Sequence, residues 1–181
     1  MGNLVIYRSI VPTPLGEMLA LDSGEGLCAL EFTGPRRLTR LEARLARWFP
    51  PHDVVDADTP TIDRTRAWLE AYFAGAGAED DGLSLDMRGA DFEKRVWSAL
   101  RAIPAGETTS YGAIARTIGS ANASRAVGAA NGANPVAIIV PCHRVIGSSG
   151  SLTGYGGGLD RKTWLLEHER RWRNDPQRAL F

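Results

Sequence analysis

The feature that most constrains this chain is a change of character at the small-residue, acidic stretch Ala74 to Gly82, which reads as a linker and not as part of any packed element. On either side of it the charges are sorted. Residues 1–89 carry nine arginines and no lysine against fourteen carboxylates, a net −5, whereas residues 90–181 carry twelve cations against seven carboxylates, a net +5. The overall balance of zero hides this split, and only the second half suits a polyanionic partner, whose phosphates are neutralised by Lys and Arg. With 181 residues the chain is long enough for two small cores, and a boundary is expected at about residue 88, giving domains 1–88 and 89–181.

Other classes are set aside by what is absent. The longest apolar run, Val136 to Val140, is far shorter than the roughly 18 residues of a membrane span. The opening Met1-Gly2-Asn3-Leu4 has no basic patch followed by an apolar stretch, so a soluble, cytoplasmic chain is expected, or a nuclear one in a eukaryote. Two cysteines, Cys28 and Cys142, are too few for a disulfide framework, which points to a reducing compartment.

Leu4 to Val11, Met18 to Leu21 and Leu27 to Phe32 are short runs of strand-forming residues separated by Pro- and Gly-containing turns, and they predict an antiparallel sheet. Arg37 to Phe49 and Thr61 to Phe73 show helical spacing, with Pro50-Pro51 stopping the first. Beyond the linker, Leu83 to Met87 reads as one more strand. Asp91 opens a helix whose buried face is Phe92, Val96, Trp97, Leu100 and Ile103. Ser110 is placed to cap a helix from Tyr111 to Ile118, and Ser124 to cap another from Arg125 to Asn131, together a helix-turn-helix pattern.

The second of these helices is unusual, for Ala126, Val127, Gly128, Ala129 and Ala130 are small and only Arg125 projects far. Two readings stand side by side. Either the helix is wedged tightly against a neighbour, or it is slim so as to enter a narrow groove with Arg125 as a lever. After it, Val136 to Val140 resembles a buried strand that delivers Pro141-Cys142-His143-Arg144-Val145-Ile146 to a polar Gly/Ser turn. Cys28, inside an apolar run, reads as an inert core thiol. Cys142 stands beside a histidine and an arginine, the neighbours a thiol needs to become a nucleophile near neutral pH. Adjacent side chains on an extended segment point apart, however, so the spacing alone leaves open whether Cys142 and His143 communicate.

Four stretches carry a resemblance: GETTSYG from Gly106, SRAVGAANGANP from Ser124, IIVPCHRVIG from Ile138 and LTGYGGGLDRKTWLLEHE from Leu152. In this order they resemble the O6-alkylguanine-DNA alkyltransferases, the methylated-DNA–protein-cysteine methyltransferases, strongly over roughly residues 90–170 and only in general character before that. The resemblance implies an N-terminal α/β domain of ribonuclease-H-like shape followed by a mostly α winged helix-turn-helix domain. It also implies a DNA repair protein that irreversibly moves methyl or other alkyl groups from O6-alkylguanine, and from O4-alkylthymine, in duplex DNA onto its own Cys142, once per molecule.

The same resemblance assigns roles to residues. Cys142 is the nucleophile, His143 the base acting through a water, and Glu169 the group that fixes the imidazole tautomer. Asn134 holds the cysteine loop, and Tyr111 assists departure of the base. Arg125 fills the space left by a flipped nucleotide, while Ser110, Tyr111, Ser124, Ala126, Ala129 and Ser148 contact DNA in the minor groove, largely regardless of sequence. Val145, Tyr155 and Gly156 line the base pocket, with Gly156 standing where some relatives carry a serine. Some relatives hold a zinc in the first domain; here only Cys28 and His52 are available there, so neither metal nor cofactor is expected. The partner is alkylated double-stranded DNA, bound by a monomer able to act cooperatively. Competing readings are an alkylation-sensing regulator, which lacks its second cysteine-rich module here, a lesion-marking protein without the reactive cysteine, and a thiol hydrolase.

Overall fold

The computed structural model describes residues 3–49, 51–76 and 82–174. They form two compact units, Met1–Gly89 with Pro135–Ala137, and Ala90–Asn134 with Ile138–Phe181. Within the predicted linker, residues 77–81 lie outside the described residues, as do Pro50 and residues 175–181 of the C-terminal tail.

In the first unit β1 (Leu4–Val11), β2 (Met18–Asp22) and β3 (Leu27–Phe32) form the expected antiparallel meander, with Val11 opposite Met18 and Met18 opposite Phe32. Helix α1 (Pro35–Trp48) begins with proline, whose missing N–H costs nothing in a first turn. It buries Leu41 and Leu45 against Ile6, Leu21, Cys28 and Phe49, each such side chain contributing about 1.5–3 kcal/mol. Helix α2 (Pro60–Phe73) is capped by Thr59, whose Oγ1 accepts from the Ile62 N–H at 3.2 Å and donates to Asp22 at 2.7 Å.

Two expectations for this unit fail. A fourth strand, β4 (His52–Asp56), pairs parallel with β1 and completes the order β3-β2-β1-β4. Its sequence His-Asp-Val-Val-Asp is too polar to announce a strand, because it is an edge strand and mostly exposed. Conversely, Leu83 to Met87 is not a strand: it makes one isolated bridge, Leu85 with Leu27, flanked by hydrogen bonds between Leu27 and Ser84 and Asp86. The backbones approach so closely there that a Cβ on Gly26 would stand 2.7 Å from the Ser84 carbonyl oxygen, so only glycine fits.

The second unit is helical. In α3 (Asp91–Arg101) the Ala90 N–H donates to the Glu93 carboxylate at 2.9 Å, half of a capping box, since alanine has no acceptor to complete it. The helix buries Val96, Trp97 and Leu100, and the Trp97 indole N–H donates to the Ala130 carbonyl at 2.9 Å, fixing α3 to α5 (Ser124–Gly132). Ser110 caps α4 (Tyr111–Thr117) as expected, accepting from Ala113 N–H at 3.1 Å. Ser124 does not cap α5. It is the first helical residue, Ala123 holds the cap position, and no side chain caps that end. Two residues each of β5 (Thr109–Ser110) and β6 (Val145–Ile146) pair in parallel, and α6 (Leu159–Arg173) closes the unit.

The apolar run Val136 to Val140 is buried at every position but one, yet it is not a strand. Its first residues pair with β3 in the first unit, through Leu30 N–H to Pro135 O at 2.8 Å and Ala137 N–H to Leu30 O at 2.9 Å. Then Ile138 adopts φ 70°, a left-handed turn that a β-branched residue enters at a cost. Periodicity cannot reveal such a turn, because an apolar turn buried on both sides reads like an apolar strand.

Candidate active site

Cys142 does not sit on extended chain. It opens a single turn of 3-10 helix, Cys142–Arg144, four residues beyond the left-handed Ile138. In a 3-10 turn successive side chains fan out by about a third of a circle instead of alternating by half. His143 and Arg144, neighbours in sequence, thereby both reach Glu169 of α6. The turn is held by two asparagine amides: Asn134 donates to Val140 O at 2.8 Å and Asn131 to Cys142 O at 3.3 Å.

Around Glu169 the geometry is closed. Its carboxylate is fully buried and accepts from His143 Nε2 at 2.7 Å, from Arg144 Nε and Nη2 at 2.9 Å each, and from the Gly106 N–H at 3.1 Å. Burial pushes its carboxyl up, but the His143 hydrogen bond and the Arg144 guanidinium outweigh that and hold it far below the usual range. Burial also holds the His143 imidazole below its ordinary value; Glu169 opposes this, while Arg144 and Lys162 add to it. A neutral imidazole facing an ionised carboxylate must donate through Nε2, which leaves the Nδ1 lone pair as an acceptor. Nδ1 is buried and has no hydrogen-bond partner among the described residues.

Cys142 is 7% exposed, close to the surface without standing on it, and neither it nor Cys28 is in a disulfide. Nearby lies a cation that the sequence reading missed. Lys162 is fully buried and its ammonium donates to Val145 O at 2.5 Å and Thr153 O at 2.9 Å. Burial draws its pKa down, and the charge of a Cys142 thiolate would draw it up. The Thr153 carbonyl also accepts from the Tyr111 hydroxyl at 3.3 Å, so α6, the Gly-rich loop and α4 meet at one oxygen. Lys162, Asn131 and Gly106 escaped sequence reading, and Arg144 was read as a neighbour of the thiol and not as a partner of Glu169. Only Arg144, beside Cys142 and His143, stood where a charge-based search would look.

The remaining residues divide by exposure. Arg125, Ser124, Ala126, Ala129 and Ser148 are exposed, and Ser110 and Tyr111 half-buried. Tight wedging of α5 is therefore not why Ala126 and Ala129 are small: its buried contacts are Val127, Ala130 and Asn131, and the alanines lie on the open face. Arg125 makes no hydrogen bond or ion pair with the described residues. Val145 is fully buried, Tyr155 half-buried and Gly156 exposed. Among the described residues no three His, Cys, Asp or Glu are grouped to hold a metal, and no helix is long and apolar enough to cross a membrane. A separate hollow of about 300 Å³ in the first unit is lined by Leu19, Leu21, Leu38, Leu41 and Val54 together with Arg8, Glu42 and His52.

A nearly buried thiol at the head of a turn, followed by an imidazole with one open nitrogen and a carboxylate behind it, is an arrangement in which a protein's own cysteine can be the reacting group. Residues 91–171 match the family described as 6-O-methylguanine DNA methyltransferase, DNA binding domain. A methylated-DNA–protein-cysteine methyltransferase of Mycobacterium bovis is 66% identical over 168 residues, 92% of this chain and 93% of the relative. One of Methanosarcina acetivorans is 44% identical over 164 residues, 91% of this chain and 98% of the relative. The crystal structure of Mycobacterium tuberculosis OGT in complex with DNA superposes with a TM-score of 0.76, covering 93% of this chain and 94% of that one, with 43% identity between spatially matched residues. This chain belongs to the methylated-DNA–protein-cysteine methyltransferase family, with the N-terminal sheet domain and C-terminal helical domain of that fold.

Proposed function

We propose that this protein repairs DNA by accepting the alkyl group of O6-alkylguanine on Cys142. In one in-line displacement the sulfur–carbon bond forms as the carbon–O6 bond breaks, and guanine leaves with the bonding pair. The thiol proton passes through a water to Nδ1 of His143, and Glu169 stabilises the cation that results. The observation that carries this reading is the fully buried His143–Glu169 pair at 2.7 Å with Nδ1 left as acceptor, one residue from the thiol. The product is a thioether with no easy route back to thiolate, so each molecule acts once.

The alkylated oxygen lies within the base stack, and a thiol only 7% exposed cannot enter it, so the nucleotide is turned out into the protein at a cost of a few kcal/mol. The exposed face of α5, with Ala126 and Ala129, suits the floor of the minor groove, and the unpartnered Arg125 at its start takes the place of the extruded base. Ser110, Ser124 and Ser148 contact the backbone, so binding is largely independent of sequence. Asn134 holds the cysteine turn, Tyr111 donates to the leaving base, and Val145, Tyr155 and Gly156 form its pocket, which also admits O4-alkylthymine. Helices α4 and α5 serve as the helix-turn-helix of a winged domain, and the mixed sheet of the first unit supports a ribonuclease-H-like description.

Intact-mass measurement after incubation with duplex DNA containing O6-methylguanine tests the reading. One added methyl group per chain, located on Cys142 by peptide mapping, is expected; an unchanged mass, or addition at Cys28, overturns it.

A further inference from the structure

The geometry points to Arg144 as the positioning residue that keeps Nδ1 of His143 unprotonated, by holding Glu169 as an anion and cancelling the charge of that anion.

Arg144 is bound within its own unit. Its guanidinium is 11% exposed and spends three N–H groups inside the unit, two on Glu169 at 2.9 Å and Nη1 on Ile103 O at 2.5 Å. An arginine so engaged is not available to bind phosphate, which is the ordinary role of a cation beside a DNA-facing site. Its two bonds to the carboxylate form a planar fork that sets the positive charge directly against the anion.

Without Arg144, the buried carboxylate would keep the Gly106 N–H but lose the guanidinium that balances its charge. A buried anion that loses its cation takes up a proton more readily, and here it has two ways to do so. The proton can enter the imidazole, giving an imidazolium–carboxylate pair in which both ring nitrogens carry hydrogen. Alternatively it can enter the carboxyl, which then donates to Nε2 and forces the ring hydrogen onto Nδ1. In either case Nδ1 becomes a donor and can no longer accept a proton from the thiol side. With Arg144 in place the pair is already neutral, no further proton is held, and Nδ1 stays open.

The other charges facing His143 do not replace Arg144. On α6 they are Glu169 itself and Lys162, whose ammonium is committed to Val145 O and Thr153 O. On its own turn they are Arg144 and the Cys142 thiol. The buried residues of α3, which also packs on the turn, are Val96, Trp97 and Leu100, none of them titratable.

The consequence for rate rests on the alkyl-transfer reading, but the protonation state does not, so it is measured first on the full chain without DNA. Nitrogen-15 chemical shifts of His143 are recorded at pH 7 for the wild type, for Arg144→Met, which keeps the apolar stem, and for Arg144→Lys, which keeps the charge. Expected are an acceptor-type Nδ1 in the wild type and Arg144→Lys, and a protonated Nδ1 in Arg144→Met. A protonated Nδ1 in the wild type, or an acceptor-type Nδ1 in Arg144→Met, overturns the assignment. Should Arg144→Met not fold, Arg144→Gln serves in its place. Methyl transfer from duplex DNA is then followed from pH 6 to 9. In the variant without the cation the acid limb of the profile moves to higher pH, whereas a purely structural role predicts a uniform loss at every pH. If the wild type transfers no methyl group, alkyl transfer fails and the nitrogen shifts still decide on Arg144.

Discussion

Cys28 and Cys142 are both buried, 3% and 7% exposed, and burial does not tell them apart. Their surroundings do. The Cys28 thiol donates to the Leu21 carbonyl at 3.3 Å inside the sheet, and burial followed by the carboxylates of Asp86 and Asp22 pushes its pKa up to about 12. Cys142 stands instead near the Lys162 ammonium and one residue before an imidazole with an open nitrogen, at the head of a 3-10 turn. A thiol beside anions stays protonated and inert; one beside cations and a base can give up its proton. The lesson is that reactivity here is a property of the charges around a sulfur and of the turn that gathers them.

The sharpest way to break this comparison is to exchange which sulfur is missing. Cys142→Ala is expected to abolish methyl acceptance, seen as no mass gain, and the same measurement on Cys28→Ala is expected to show a full equivalent. Next in size is His143→Gln, which removes the base but leaves the DNA-facing surface untouched. Single-turnover transfer should slow by about 10²-fold with duplex affinity unchanged, and loss of binding would reassign the residue. Arg125→Ala should reduce transfer from duplex about tenfold, the effect of roughly 1.4 kcal/mol, while transfer from free alkylguanine base is unchanged; equal losses in both would remove the lever role.

Acid provides a smaller, graded test. Both His143 and Glu169 bind protons less readily in the folded protein than in the unfolded chain. Unfolding therefore takes up protons, and stability falls as pH falls. The His143 contribution is fully present above its ordinary value of 6.5 and erodes below it, and that of Glu169 erodes below 4.5. Denaturant melts from pH 8 to 4 should show this decline, and Arg144→Met should flatten the part assigned to His143. The smallest expected effect is the cost of Cys28→Ala, about 1 kcal/mol for a small buried side chain, read from the same melts.

Much of the fold was legible because its signals are local. Thr59 and Ser110 sit where caps belong, and Leu41, Leu45, Val96, Trp97 and Leu100 recur at helical spacing. The failures have physical causes. β4 is polar because an edge strand needs no apolar face, and Leu83 to Met87 is apolar because it packs in the first unit, although it is not a strand. Ser124 has a cap's chemistry one residue too late. At the site, Cys142, His143 and Glu169 could be named from motif resemblance, but Lys162 could not, since a lysine in the first turns of a basic helix looks like a solvated surface charge.

Sequence alone picks out the candidates for the proposed chemistry: a thiol, an imidazole and a carboxylate in recognisable stretches, on the basic half of a charge-sorted chain. Only the tertiary structure decided how they act together. Glu169 lies 26 residues beyond His143, and the 3-10 turn at Cys142–Arg144 that lets two adjacent side chains point at one carboxylate has no periodicity of its own. Protonation in a buried cluster follows from distances of a few ångströms between groups far apart along the chain, and no pattern of neighbours in sequence records those distances.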